Sequence, residues 1–281
     1  MEWTTFGTSV IGASHTNKQL PNQDAINHSD ELPPFVAVAD GHGGKKYIRS
    51  HKGSELAVQA LESVLKESLH LHTNLPNLSE HIRHMKNRLL LHWQTTIDEH
   101  LANTPLTETE QNFLATHCSE TERTGLDNNP RLAYGCTFLG VIAYEDMVLI
   151  IQHGDGDIVC LYPDSDLGVE IMEMDTRNFG GSTLSLGSLK DAADMSHKLL
   201  TAGDMPIPEL IAISTDGIKN SYDDKDPDSI AQFYKIPAVI RHALAGGREL
   251  ADILTDIESL LTRITANGSG DDVTLGILAQ L

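Results

Sequence analysis

Cysteine is scarce in this 281-residue chain, with three in all. Cys118, Cys136 and Cys160 are odd in number and show no CxxC spacing. That excludes a disulfide framework and a thiolate metal site, and points to a reducing, cytoplasmic setting. No stretch approaches the roughly 18 consecutive apolar residues of a membrane span. Met1 to Ile11, with Glu2 and polar Thr4, Thr5 and Thr8, lacks the basic start and apolar centre of a signal peptide. Basic residues are few as well: 20 against 40 acidic ones leave a net charge of −20. Such a balance disfavours a nucleic-acid or anionic-membrane surface. Low-complexity linkers and fixed-period repeats are missing, and apolar strings occur in both halves. Residues 1–281 are therefore expected to form a single domain with a substantial core.

What is present is a set of short apolar runs that end in aspartate and glycine. Val36-Ala37-Val38-Ala39 reads as a strand buried on both faces, and it runs directly into Asp40-Gly41-His42-Gly43-Gly44. Leu210-Ile211-Ala212-Ile213-Ser214-Thr215 repeats the device and ends in Asp216-Gly217. Thr4–Ile11 reads as an opening strand, and Ser14–Ala25 as a polar loop around Leu20-Pro21-Asn22-Gln23-Asp24. Cys136–Tyr144, Met147–His153 and Ile158–Tyr162 read as consecutive antiparallel hairpins joined by Glu145-Asp146 and Gly154-Asp155-Gly156-Asp157. Val169–Asp175 is a further strand candidate, and Val273–Ala279 a final one after Gly268-Ser269-Gly270-Asp271-Asp272.

Apolar residues at helical spacing predict helices over Tyr47–Leu69 and Ser79–Leu101, the latter with Ser79 as N-cap. Others are expected at Thr107–Cys118, Ser229–Ala245 and Arg248–Ala266. Glu120–Arg131 reads as a polar loop, and Thr176–Ser188 as a glycine- and serine-rich loop able to shape a pocket. His81, His84, His92 and His100 fall on one predicted helix, but no carboxylate-supported ligand pattern accompanies them, so a polar helix face is the expectation. Runs of strands interrupted by helical pairs indicate an α+β fold of two antiparallel sheets with helices outside.

Asp40, Asp155, Asp216 and Asp271 each sit beside glycine at an end of a predicted strand, and Asp24 lies in the loop that precedes the strand at Val36. Each alone is an ordinary turn aspartate. Should the ends converge, five carboxylates meet, and hard divalent cations are what relieves their repulsion. Oxygen donors without clustered cysteine or histidine favour Mg²⁺ or Mn²⁺ over zinc.

The segments Asn22-Gln23-Asp24-Ala25, Val38-Ala39-Asp40-Gly41-His42-Gly43-Gly44, Gly135-Cys136-Thr137, Gly154-Asp155-Gly156-Asp157, Ser214-Thr215-Asp216-Gly217 and Gly270-Asp271-Asp272-Val273-Thr274 together resemble the metal-dependent protein phosphatase 2C family, in its bacterial branch. They follow the family's order from residue 22 to residue 274. The resemblance implies a four-layer α-β-β-α sandwich and hydrolysis of phosphoserine and phosphothreonine in proteins by water acting directly, with no covalent phosphoenzyme. By position, Asp40 bridges two metals, Gly41 lends a carbonyl, Asp216 and Asp271 complete one shell, and Asp24 holds water. Asp155 and Asp216 match a third metal position, and His42 the general acid. A phosphorylated protein, a cognate serine/threonine kinase and a monomeric, cytoplasmic enzyme are the implied setting. Cys136, in an apparently buried strand, is given no role.

Three positions depart from the family pattern. Gln23 replaces an acid beside Asp24, Gln19 takes the place of a phosphate-binding arginine with Lys18 adjacent as a substitute point charge, and Asp272 replaces an asparagine. Gln23 and the missing arginine support a rival reading, a catalytically weak or inactive module that binds phosphoproteins as a regulator. A nuclease is disfavoured by the acidic surface.

Overall fold

Strands whose two faces are both covered must be apolar throughout, and strand Phe35–Ala39 shows why that matters. Its five residues are all buried, with Val36 and Val38 turned toward the opposite sheet and Ala37 and Ala39 toward the helices. The computed structural model describes residues 2–31, 33–68, 78–173, 175–177, 183–203 and 206–280. In chain order the elements are β1 (Trp3–Val10), α1 (Ala13–Lys18), β2 (Ala25–Ser29), β3 (Phe35–Ala39), α2 (Ser50–Ser68), α3 (Leu78–Asn103), α4 (Glu108–His117), α5 (Glu120–Asn128), β4 (Phe138–Ala143), β5 (Met147–His153), β6 (Asp157–Leu161), β7 (Val169–Glu170), β8 (Ser196–Thr201), β9 (Leu210–Ser214), α6 (Asp216–Lys219), α7 (Pro227–Ala245), α8 (Leu250–Asn267) and β10 (Val273–Gln280).

The strands form two antiparallel sheets, ordered β1-β10-β9-β6-β7 and β2-β3-β4-β5-β8. Leu139, Val141 and Ile150 of one sheet meet Ile158, Ile211, Ile213 and Leu278 of the other in a dry layer between them. A second cluster joins the outer face of the β3 sheet to α2 and α3 through Leu61, Leu89, Trp93 and Ile97. A third joins the outer face of the β10 sheet to α7 and α8 through Phe233, Ile253, Ile257 and Leu261. The result is the expected four-layer sandwich.

The structure corrects several local expectations. Within the stretch read as a loop from Ser14 to Ala25, residues 13–18 form α1, whose start is tied to the far end of the chain: Ser14 N donates to Gly270 O at 2.8 Å and Ala13 N to Thr265 Oγ1 at 2.9 Å. The polar stretch from Glu120 holds α5, nucleated by a capping box in which Ser119 and Glu122 satisfy each other's backbone N–H groups. Ser79 lies inside α3 rather than capping it, since the helix already includes Leu78. β5 and β6 do not form a hairpin; β5 pairs with β4 and β8, while β6 pairs with β7 and β9 in the other sheet. Gly154 makes that crossing with φ of 124°, a value that favours glycine. Beyond Val169–Glu170 no strand continues to Asp175 among the described residues. β2, β8 and α6 escaped prediction: β2 and β8 are partly exposed edge strands, and α6 spans four residues. Leu69 and residues 178–182 of the predicted loop lie outside the described residues.

Gly53 provides a test of the α2–β4 side. A Cβ there would come within 1.9 Å of Tyr134 O, while the Gly53 carbonyl accepts from Trp93 Nε1 at 2.9 Å. Helix propensity alone favours Gly53→Ala by about 1 kcal/mol. Overpacking costs about 1–3 kcal/mol, and with the clash against backbone rather than a flexible side chain the upper part of that range applies, so the substitution is expected to lower stability by a net of about 1–2 kcal/mol. The urea midpoint of Gly53→Ala measures the sign directly.

Candidate metal centre

Strand register carries the acidic residues to one edge of the sandwich. Ala39 pairs with Ala25, and Phe138 with His153, so Asp24, Asp40 and Asp155 leave the β3 sheet at the same end. In the other sheet Ser214 pairs with both Asp157 and Leu275, so Asp216 and Asp271 leave at the matching end. Hydroxyls fix the Asp24 and Asp155 carboxylates, and other polar groups hold Asp40 and Asp216. Thr215 Oγ1 and Thr274 Oγ1 each donate to Asp24 Oδ2 at 2.7 Å, which joins the two sheets through one carboxyl. Asp40 N donates to Thr137 Oγ1 at 2.9 Å, and Thr137 N to Asp40 O at 2.8 Å. Thr183 Oγ1 donates to Asp155 Oδ2 at 2.6 Å, and Asn220 Nδ2 to Asp216 Oδ2 at 2.9 Å.

Burial and mutual repulsion govern the charge state. Burial first, then Asp24, Asp216, Asp271 and Asp155, push the Asp40 carboxyl well above the usual range. Asp24 is raised by burial against the pull of its two threonines, with Asp272 and Asp271 adding to the rise. Asp216 is pushed up to about 6 by burial, Asp155 and Asp271, although hydrogen bonds from Asp40 and Asn220 oppose the shift. The oxygen donors fit a hard divalent cation, which would neutralise carboxylates that otherwise repel one another. Among the described residues Asp40, Asp216 and Asp271 do not bring three ligand oxygens within 4.8 Å of one another, whereas His15, Asp271 and Asp272 form such a trio.

Gly41 follows Asp40 at a point of close approach. A Cβ there would meet Gln23 O at 2.6 Å and the Ser50 carbonyl at 2.8 Å, so the turn has room for glycine alone. His42 stacks at a tilt on Tyr47, ring centroids 4.8 Å apart, and its Nε2 is buried without a hydrogen-bond partner. Burial lowers its pKa to about 4 against the pull of Asp155, so the imidazole is neutral at pH 7 in this state. His153, at the end of β5, is likewise lowered to about 4 by burial.

The residues at the three departures take other places. Asp272 is buried and fully engaged: Oδ1 accepts from Gly12 N at 2.6 Å, and Oδ2 accepts from Gln23 N at 2.6 Å and lies 2.8 Å from His15 Nδ1. It is a staple between the first loop and the last. Gln23 turns its side-chain amide to Ser50 Oγ at 2.8 Å. Lys18 is exposed in the last turn of α1, followed by Gln19 in the left-handed region at φ of 56°. His15, Thr137, Thr215 and Thr274 are the residues that sequence reasoning passed over. Thr215 and Thr274 had a signal, since one precedes Asp216 and the other follows Asp271 by three residues. Of the helical histidines, His100 lies 2.7 Å from Tyr134 Oη at Nδ1, and none of the four joins a metal-holding cluster among the described residues. Cys136 is buried beside Asp40, and burial drives its thiol well above the ordinary value, so it is inert.

The profile of the family described as Protein phosphatase 2C matches residues 11–254, and the chain belongs to that family. Its fold recurs in solved structures at low identity. The Pseudomonas aeruginosa protein PppA, described as a key regulatory component of T6SS, aligns with a TM-score of 0.60 at 15% identity over 100% of this chain and 99% of its own. The S. agalactiae serine/threonine phosphatase aligns at 0.57 and 15%, over 99% of this chain and 100% of its own. The catalytic domain of the serine/threonine protein phosphatase PstP, solved with two manganese ions, aligns at 0.54 and 14%, over 99% and 97%. No curated protein matches the sequence.

Two outcomes follow from the charge state and the staple. A carboxyl raised by folding contributes stability below its unfolded pKa and loses it as pH rises through the folded one. For Asp216 the loss spans 3.8 to about 6. Urea midpoints in chelator are expected to fall across that window, and Asp216→Asn to flatten the fall. Asp272→Ala removes an acceptor shared by three donors, and a loss of about 3 kcal/mol is expected by the same measurement.

Proposed function

We propose that the protein is a Mn²⁺- or Mg²⁺-dependent serine/threonine protein phosphatase, a hydrolase of phosphomonoesters. The observation that carries this reading is the arrival of Asp40, Asp155, Asp216 and Asp271 at one edge of the sandwich from four separate strand ends, in a chain of this family. Two divalent ions supply charge neutralisation of the phosphoryl oxygens and a water made acidic enough to attack near neutral pH. Asp40, the Gly41 carbonyl, Asp216 and Asp271 would hold these ions. Asp155 with Asp216 is suited to a third. Asp24, held by Thr215 and Thr274, accepts a hydrogen bond from the attacking water and keeps it in line.

His42 meets the leaving seryl or threonyl oxygen with its unpartnered Nε2. Its low pKa means that the proton must be stabilised on the ring when substrate binds, and a phosphate dianion beside the imidazole does so by raising its pKa. Lys18 is the nearest basic residue in sequence to the place of the missing arginine, and its exposure leaves it free to meet phosphate as a point charge. The substrate is a phosphorylated protein, paired with a serine/threonine kinase.

A second reading, a phosphoprotein-binding regulator with little turnover, is favoured by Gln23, whose amide is committed to Ser50. Phosphate release with Mn²⁺ separates the two. Wild type is expected to hydrolyse both a phosphothreonine peptide and an aryl phosphate, and Asp40→Asn to lose about 10² or more in kcat on both. Tight peptide binding by wild type without metal-dependent release supports the regulator instead. His42→Ala is expected to lower kcat by about 10²-fold on the peptide. It should lower it far less on p-nitrophenyl phosphate, whose leaving group needs no proton; equal losses on both would remove the acid role.

A further inference from the structure

The start of α1 is built to hold one imidazole against the last loop. Gly12 packs so closely that a Cβ would lie 2.5 Å from Asp271 C and 2.6 Å from Asp272 N. Thr265 Oγ1 accepts from Ala13 N at 2.9 Å and donates to Asp271 O at 2.8 Å. Ser14 N donates to Gly270 O at 2.8 Å, where Gly270 turns with φ of 75°. His15 therefore cannot drift from Asp271 and Asp272 without breaking three separate links.

Within that frame the two ring nitrogens of His15 have different neighbours. Nδ1 lies 2.8 Å from Asp272 Oδ2, and Nε2 lies 3.9 Å from Asp271 Oδ1. Asp272 is the less open of the two carboxylates: its oxygens accept from Gly12 N, Gln23 N and His15, and its side chain is buried, whereas of the Asp271 carboxyl oxygens Oδ1 accepts from Asp272 N. An ionised carboxylate only accepts, so Nδ1 carries the proton, and in the neutral ring that metal binding requires Nε2 is the ligand atom. A carboxylate behind an imidazole whose other nitrogen faces outward is the arrangement that orients a histidine for metal binding. Asp271 stands across from that lone pair with its side chain 55% exposed, against 11% for His15. A cation thus has a path in, and the imidazole is preset. Two ligand atoms each about 2.1 Å from one ion lie about 3–4 Å apart, which matches this separation.

We propose that His15 is a nitrogen ligand to a divalent cation shared with Asp271, with Asp272 fixing its tautomer. The inference rests on the reading of Asp271 as a ligand in the proposed function. It adds a softer donor to an otherwise oxygen-lined centre, and so biases the site toward Mn²⁺ and other transition ions over Mg²⁺. It also accounts for aspartate at 272: an acceptor is required behind His15, and an acid meets the requirement while holding two backbone N–H groups.

Electron spin echo modulation of the Mn²⁺-loaded full-length chain tests this directly, because a directly bound imidazole imprints a nitrogen coupling on the manganese signal. The expected result is a nitrogen coupling in wild type that is lost in His15→Gln and His15→Asn. By titration calorimetry the Mn²⁺ Kd rises at least about tenfold in either variant, with the Mg²⁺ Kd changed less than about threefold. Bound Mn²⁺ without nitrogen coupling in wild type overturns the inference, with no need of any variant. Coupling that persists without His15 overturns it as well and points to another imidazole, such as His42 or His153. In both cases metal-dependent hydrolysis by wild type leaves the phosphatase reading standing. A wild-type chain that neither binds Mn²⁺ nor hydrolyses phosphoesters overturns the two together.

Discussion

Two carboxylates 4 Å apart repel by about 4 kcal/mol at an effective dielectric near 20. A native domain has a total margin of only about 5–15 kcal/mol. Asp24, Asp40 and Asp216, with Asp155 and Asp271 beside them, could not all be ionised and uncompensated in so small a space. The protein answers with carboxyls at Asp24, Asp40 and Asp216 that burial and their neighbours push upward, and with threonine hydroxyls aimed at Asp24. A cation is the stronger answer, since it neutralises several oxygens at once. The carboxylates sit in the short segments that leave the strand ends, so strand register sets where they stand.

That placement has a specific source. Asp24 belongs to the sheet of β3, yet its acceptor oxygen is filled from Thr215 and Thr274 of the other sheet. The dry layer of Val36, Val38, Leu139, Ile211 and Ile213 sets the separation of the sheets, and with it the span that these bonds must close. Packing between the sheets and geometry at the edge are therefore one problem. A loosened core would reach the site as a lengthened Asp24–threonine contact long before the chain unfolded.

Much of this was legible in the residues, for reasons that are themselves local. Buried strands are apolar on both faces, so β3 and β9 stood out, and aspartate next to glycine marked where they stop. β2 and β8 were invisible because edge strands mix polar and apolar residues. α5 was hidden by its polarity, though its capping box was written in Ser119 and Glu122. The crossing from β5 to β6 was misread as a hairpin because the turn residues are the same for both; only partner choice differs, and that is a property of the whole sheet. In the candidate site, type and spacing single out the aspartates, and the register brings their strand ends to one edge. Asp272 was seen only as an added charge, because its partners Gly12, His15 and Gln23 lie some 250–260 residues away in sequence. Long-range pairing of that kind leaves no periodic trace.

The position of β10 ties the site to the closure of a sheet. This strand, formed by residues 273–280, lies between β1 and β9, and the loop just ahead of it carries Asp271 and Asp272. Until it is made, β1 lacks its ladder partner in the sheet, and Gly12, His15 and Gln23 lack the carboxylate that gathers them. Asp24, Asp40 and Asp155 already share an end of the other sheet, so the pairing of β10 with β1 and β9 is what sets Asp271 and Asp272 beside them. The ladder between β1 and β10 joins residues far apart in sequence, a pairing of high contact order.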